Sequence, residues 1–128
     1  MNEIKKKILV VDDEPDILNM IRLRLEANGY EVITASDGNT AYQRARSDSP
    51  DLIILDLMLP GMDGYQVCRL LKFDERYRSI PVIILTALSQ KEDKEWAEKV
   101  GADCYLTKPF ESDELLNKIK EFFRRQDV

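Results

Sequence analysis

The sequence predicts an α/β domain in which five strands, each followed by a helix, form one parallel sheet covered on both faces. Two observations carry this. Runs such as Ile8-Leu9-Val10-Val11, Ile53-Ile54-Leu55 and Val82-Ile83-Ile84-Leu85 are apolar without alternation, as strands buried on both faces are. Segments of helical period separate these runs in strict alternation. The chain has 128 residues, 44% of them apolar, which suits one core and would cramp two. A single domain over 1–128 is expected, with a tail or the start of a linker at 124–128.

The first strand, Ile8 to Val11, ends abruptly in Asp12-Asp13-Glu14. Pro15 suits a helix's first turn, where its missing N–H costs nothing, and acidic residues favour that positive end. The helix runs to about Asn28 and stops at Gly29, with Leu18, Ile21 and Leu25 as its stripe and Ile17 and Met20 toward the edge. Glu31 to Ala35 alternates weakly and reads as the second strand. Ser36-Asp37-Gly38-Asn39 is a turn opening a second helix through about Arg46, closed by Ser47-Asp48-Ser49-Pro50.

The third strand ends at Asp56, before a turn at Pro60-Gly61, so this carboxylate is expected half out of the core. Gly61-Met62-Asp63-Gly64 leads into a third helix carrying Val67, Leu70 and Leu71. Polar residues 74–79 form a loop. The fourth strand, Pro81 to Leu85, closes with Thr86-Ala87, and a charged helix is expected over 91–100. Gly101-Ala102-Asp103 returns the chain to a brief fifth strand, Cys104-Tyr105-Leu106. After Thr107-Lys108-Pro109-Phe110, Ser112 with Asp113 and Glu114 starts the last helix, whose core face is Leu115, Leu116, Ile119, Phe122 and Phe123.

Composition excludes several functions. No apolar run approaches the roughly 20 residues that cross a bilayer, and the N-terminus lacks a signal-peptide core, so the expected location is cytoplasmic, away from membranes. Nineteen basic against 24 acidic side chains give a net charge of −5, and no basic stripe interleaved with aromatics suggests direct nucleic-acid binding. Cys68 and Cys104 fall inside regular elements without CxxC spacing and read as packed thiols. Histidine is absent, so any site must work with oxygen ligands and lysine.

Open parallel sheets bind ligands outside the carboxyl ends of their strands, where strand order reverses. Asp12 and Asp13 follow the first strand, Asp56 ends the third, Thr86 the fourth, and Lys108 follows the fifth. In the order 2-1-3-4-5, the flavodoxin-like arrangement, the three carboxylates converge. Two carboxylates about 4 Å apart repel by roughly 4 kcal/mol at an effective dielectric near 20, so the cluster wants a cation. Oxygen-only ligands in a shallow site suit Mg²⁺. Such an ion, with Lys108 and the Thr86 hydroxyl, would let a phosphoryl group reach Asp56 and form an aspartyl phosphate. Singly, Asp12 and Asp13 read equally well as helix caps, Thr86 as a turn cap and Lys108 as a solvated lysine; capping does not explain why all lie at one edge.

With these residues in view, the chain closely resembles the receiver domain of two-component response regulators, the CheY-like family. The resemblance rests on Asp12-Asp13, on Asp56 with Met58-Leu59-Pro60-Gly61-Met62-Asp63-Gly64, on Leu85-Thr86-Ala87 and on Lys108-Pro109-Phe110, and it spans essentially the whole length. It implies that Asp56 accepts a phosphoryl group from a phosphohistidine of a sensor histidine kinase or histidine phosphotransferase. It implies Mg²⁺, or Mn²⁺ in its place, held by Asp13, Asp56 and the Met58 carbonyl, with Asp12 acting through water. Lys108 and the Ala87 N–H would meet the phosphate, and the Lys108–Pro109 bond would be cis.

The resemblance further implies a switch pair, Thr86 and Tyr105, biasing the surface made by the helix over 91–100, the fifth strand and the last helix. That surface would face an output protein, a fused output domain or, once phosphorylated, a second copy. Ile17 and Met20 would contact the kinase or phosphotransferase, although core edge is an equally good reading of them. Tyr105 also reads as an ordinary half-exposed strand aromatic. Bulky, apolar Met58 and Leu88 imply slow loss of the phosphoryl group. The tail from Arg124 to Val128 fits either a stand-alone domain or a linker to a DNA-binding domain.

Three rivals fit less well. A haloacid-dehalogenase-type phosphatase would want a DxD motif after the first strand. A flavin- or nucleotide-binding module would want a glycine- or hydroxyl-rich phosphate loop there, where Asp12-Asp13-Glu14 repels phosphate. A phosphorylation-independent pseudo-receiver typically lacks an acidic residue or the lysine.

Overall fold

The computed structural model describes residues 4–87, 95 and 98–126. Its strands are β1 (Lys7–Val11), β2 (Glu31–Ala35), β3 (Leu52–Asp56), β4 (Val82–Thr86) and β5 (Cys104–Thr107). Among the described residues the helices are α1 (Pro15–Ala27), α2 (Gly38–Ser47), α3 (Gly64–Lys72) and α4 (Ser112–Gln126). The sheet is parallel throughout, in the order β2-β1-β3-β4-β5. Of the helix expected over 91–100, Glu95, Glu98 and Lys99 are helical; residues 91–94, 96 and 97 lie outside the described residues.

Successive strand residues face opposite sides of a sheet, so each strand feeds two core layers. Leu9, Val11, Ile53, Leu55, Val82 and Ile84 pack against Ala41 and Ala45 of α2 and Val67, Cys68 and Leu71 of α3. Ile8, Val10, Leu52, Ile54, Ile83 and Leu85 meet Ile21 and Leu25 of α1 and Leu115, Leu116, Ile119 and Phe123 of α4. Each fully buried Leu or Ile contributes about 1.5–3 kcal/mol, which explains the unbroken apolar strands.

The helix faces need one correction. On α3 Leu70 is 42% exposed, and Cys68 takes the buried place beside Val67 and Leu71. Leu18 on α1 and Phe122 on α4 are half-buried and pack against the second core layer, as expected of their faces. Among the described residues no helix is long and apolar enough to cross a membrane.

Parallel pairing carries the ends of β1, β3, β4 and β5 to one rim. The ladders continue past the strand ends there: the Asp12 N–H donates to the Ala35 carbonyl (3.2 Å), Leu57 N–H to Leu85 (3.2 Å) and Lys108 N–H to Thr86 (2.6 Å). These bonds fix the backbone at Asp12, Thr86 and Lys108 and just beyond Asp56. The Lys108–Pro109 peptide is cis, as the resemblance implied.

Candidate functional site

Asp12, Asp56 and Thr86 are the buried polar residues among those described, and all three sit at the carboxyl rim of the sheet. Asp56 is 3% exposed rather than half out of the core. The chain beyond it does not leave for solvent, because Leu57 and Leu59 re-enter the core layer under α2 and α3.

Lys108 spans the two buried carboxylates, its Nζ donating to Asp12 Oδ2 at 2.8 Å and to Asp56 Oδ2 at 3.1 Å. Each carboxylate also accepts a backbone N–H two residues on, Glu14 to Asp12 Oδ1 (2.9 Å) and Met58 to Asp56 Oδ1 (3.2 Å). This local turn chemistry orients both side chains. Asp12 therefore does bond the start of α1, but with one oxygen only, and Glu14 occupies the N-cap without a side-chain cap.

Asp13, exposed, completes the group: Asp12, Asp13 and Asp56 each offer an oxygen, all within 4.8 Å of one another. One ammonium offsets three carboxylates. Burial pushes the Asp56 carboxyl above its ordinary pKa, against the Met58 N–H and Lys108, and the Asp12 charge adds to the rise. Burial acts on Lys108 to weaken its charge, but its hydrogen bonds to Asp12 and Asp56 outweigh this and hold its pKa above the ordinary value. An oxygen-only donor set with an unbalanced negative charge fits a hard divalent ion such as Mg²⁺.

Thr86 and Tyr105 share one face of the sheet: Ile84 registers with Tyr105 and Thr86 with Thr107. Tyr105 is half-buried against the core layer under α2 and α3, and Ala87, exposed, follows Thr86 at the rim. On α1 Ile17 is half-buried against the opposite core layer, whereas Met20 is 48% exposed. Leu88 lies outside the described residues.

Sequence reasoning brought Lys108 to the carboxylates and named Gly64, but missed that the ammonium bridges Asp12 and Asp56 and what Gly64 packs against. A Cβ on Gly64 would overlap the Asp56 carbonyl oxygen and lie 2.8 Å from Leu57 Cα, so α3 starts against the very backbone that carries Asp56. The glycine itself was visible, but nothing local shows what it touches.

Fold and rim together define a doubly wound α/β domain whose buried acidic group, bridged by one lysine, lies at the switch point of the sheet. The chain belongs to the response regulator receiver domain family, whose profile matches residues 8–120. It is 44% identical over 125 residues to the alkaline phosphatase synthesis transcriptional regulatory protein PhoP of Bacillus subtilis, covering 98% of this chain and 51% of that protein. It is 47% identical over 121 residues to the DNA-binding dual master transcriptional regulator RpaA of Synechocystis, covering 94% and 50%. The chain thus spans about half the length of these curated relatives. A CheY-like receiver domain of Methanospirillum hungatei superposes with a TM-score of 0.90 at 30% identity, covering 97% of this chain and 98% of the other.

Proposed function

We propose that this chain is a phosphorylation-driven signalling switch with Asp56 as phosphoacceptor and the phosphohistidine of a sensor histidine kinase or histidine phosphotransferase as donor. The observation that carries this reading is the Lys108 ammonium shared between Asp12 and Asp56, with Asp13 alongside. An Asp56 oxygen attacks phosphorus, an O–P bond forms as the P–N bond to the donor imidazole breaks, and the electron pair leaves on the imidazole nitrogen. The missing histidine agrees with a donor on another molecule.

Asp13, Asp56 and the Met58 carbonyl would hold Mg²⁺ or Mn²⁺, with Asp12 acting through water. Bound there, the ion supplies charge neutralisation for an anionic phosphoryl group. Lys108, the Thr86 hydroxyl and the Ala87 N–H would meet the phosphoryl oxygens, and the work of the protein would be alignment.

Occupancy of Asp56 then draws on Thr86 and, across the shared sheet face, on Tyr105. This biases the surface around β5, α4 and the segment 91–100 toward an output protein, a fused output domain or a second copy. Driving such a switch from 1:99 to 99:1 takes about 5.5 kcal/mol of differential stabilisation. DNA binding, where a longer protein has it, belongs to an output domain. Ile17 and Met20 are assigned to donor docking, with Met20 the better exposed. Met58, 63% exposed beside Asp56, supports slow loss of the phosphoryl group, and a lifetime of mere seconds would contradict that.

The test is incubation with acetyl phosphate and Mg²⁺, read by intact mass. Wild type should gain one phosphoryl group and Asp56→Asn none; a wild type that stays unmodified, or an equally modified variant, sinks the assignment.

A further inference from the structure

The loop that carries Met58 is held by Asp56, whose Oδ1 accepts the Met58 N–H, and by contacts outside the site. Leu57 and Leu59 are buried, while Met58 between them is 63% exposed. The Leu57 carbonyl accepts both the Leu59 N–H (3.2 Å) and the Gly64 N–H (3.1 Å), which closes a tight turn about Met58. Among the described residues the Met58 carbonyl itself accepts no backbone hydrogen bond.

Gly64 backs one side of this loop, and the start of α2 backs the other. The Gly38 N–H reaches the Pro60 carbonyl at 3.4 Å. A Cβ on Gly38 would overlap the Met62 carbonyl and stand 2.9 Å from Met62 Cβ, so the two backbones touch where only glycine fits. Asp37 anchors the helix start: its Oδ1 caps the Thr40 N–H (2.8 Å) and its Oδ2 accepts the Thr40 hydroxyl (2.9 Å). Gly61, at φ 72°, keeps the turn tight, and a Cβ there would lie 3.2 Å from Asn39 Nδ2.

We propose that Gly38 is a positioning residue for the metal site: its backbone contact with Met62 seats the 57–62 loop and so places the Met58 carbonyl beside Asp13 and Asp56. This rests on the Mg²⁺ reading given under Proposed function. Any side chain at Gly38 lifts the loop off α2 and moves the Met58 carbonyl, together with the Met58 N–H that Asp56 Oδ1 accepts, while Asp12 and Asp13 keep their places after β1.

The experiment is a titration with Mg²⁺ alone, followed by backbone amide NMR, which also reports whether each variant is folded. Gly38→Ala should bind Mg²⁺ ~10-fold more weakly, the usual size of an effect transmitted to a metal ligand by its neighbour. Gly29→Ala is the control: it is strained by its φ of 88° but has nothing within 4 Å of the added Cβ, and it lies at the opposite end of the sheet. It should lose stability yet keep the wild-type Kd, which separates positioning from general destabilisation. Should Gly38→Ala fail to fold, Gly61→Ala decides, with weaker Mg²⁺ binding expected. Wild-type affinity in the deciding variant overturns the proposal alone, whereas a wild type that does not bind Mg²⁺ overturns the functional reading beneath it as well.

Discussion

Each end of the sheet holds a lysine bonded to aspartate, and the two differ in stoichiometry. At the amino end the Lys72 Nζ meets Asp103 Oδ2 at 2.6 Å, the Ile80 carbonyl at 2.7 Å and the Arg78 carbonyl at 3.1 Å. Three donors find three acceptors, one charge cancels one charge, and Asp103 also takes the Val82 N–H at 2.8 Å. That cluster ties α3 to the entries of β4 and β5 and is complete. At the carboxyl end Lys108 faces Asp12, Asp56 and, close by, Asp13, leaving an excess of negative charge that invites a cation. A balanced pair holds the fold together; an unbalanced one stores the capacity to bind.

The largest effect expected from this contrast is metal linkage. Mg²⁺ at 100 times its Kd should stabilise wild type by about 2.7 kcal/mol in urea unfolding. Lys72→Met should show the same increment, and a loss of the increment in that variant would mean that the two ends are not separate. Next in size is the cost of Lys72→Met itself. It should be about 2 kcal/mol, less than for a fully buried pair because the Asp103 side chain is 35% exposed.

The smallest effect has the opposite sign. The folded-state pKa of Asp56 is raised, so ionising it costs stability: the fold is favoured below the unfolded carboxyl pKa and loses that advantage as pH rises through the folded one. Asp56→Asn should therefore be more stable than wild type in metal-free buffer at neutral pH. The gain should shrink as pH falls through the carboxylate range and shrink again when Mg²⁺ is added. Thermal melts across pH measure it, and a destabilised Asp56→Asn at neutral pH would show Asp56 to be a balanced partner like Asp103.

Much of this was legible in the chain. Uninterrupted apolar runs marked β1, β3 and β4, Pro15 and Gly29 the limits of α1, and Ser112 the start of α4, because those signals are local. The polar residues at the strand ends, Asp12, Asp13, Asp56, Thr86 and Lys108, were found by placing them on one edge of an assumed sheet order. The burial of Asp56 was not legible, since its neighbours Pro60 and Gly61 signal an exposed turn while Leu57 and Leu59 fold back into the core. Leu70 was misplaced because a helix of nine residues offers too few turns to distinguish its stripe from that of Cys68. The Lys72–Asp103 pair and the Gly38–Met62 contact left no pattern at all.

By itself the sequence determined the alternation of elements, the two apolar layers and the supply of oxygen ligands without histidine. These follow from periodicity and residue type, which act over a few neighbouring residues. Only the tertiary structure decided which carboxylates share Lys108, how deeply Asp56 is buried and what presses on Gly38. Those depend on strand order and register, which bring together residues far apart in the chain whose local sequences carry no mark of one another.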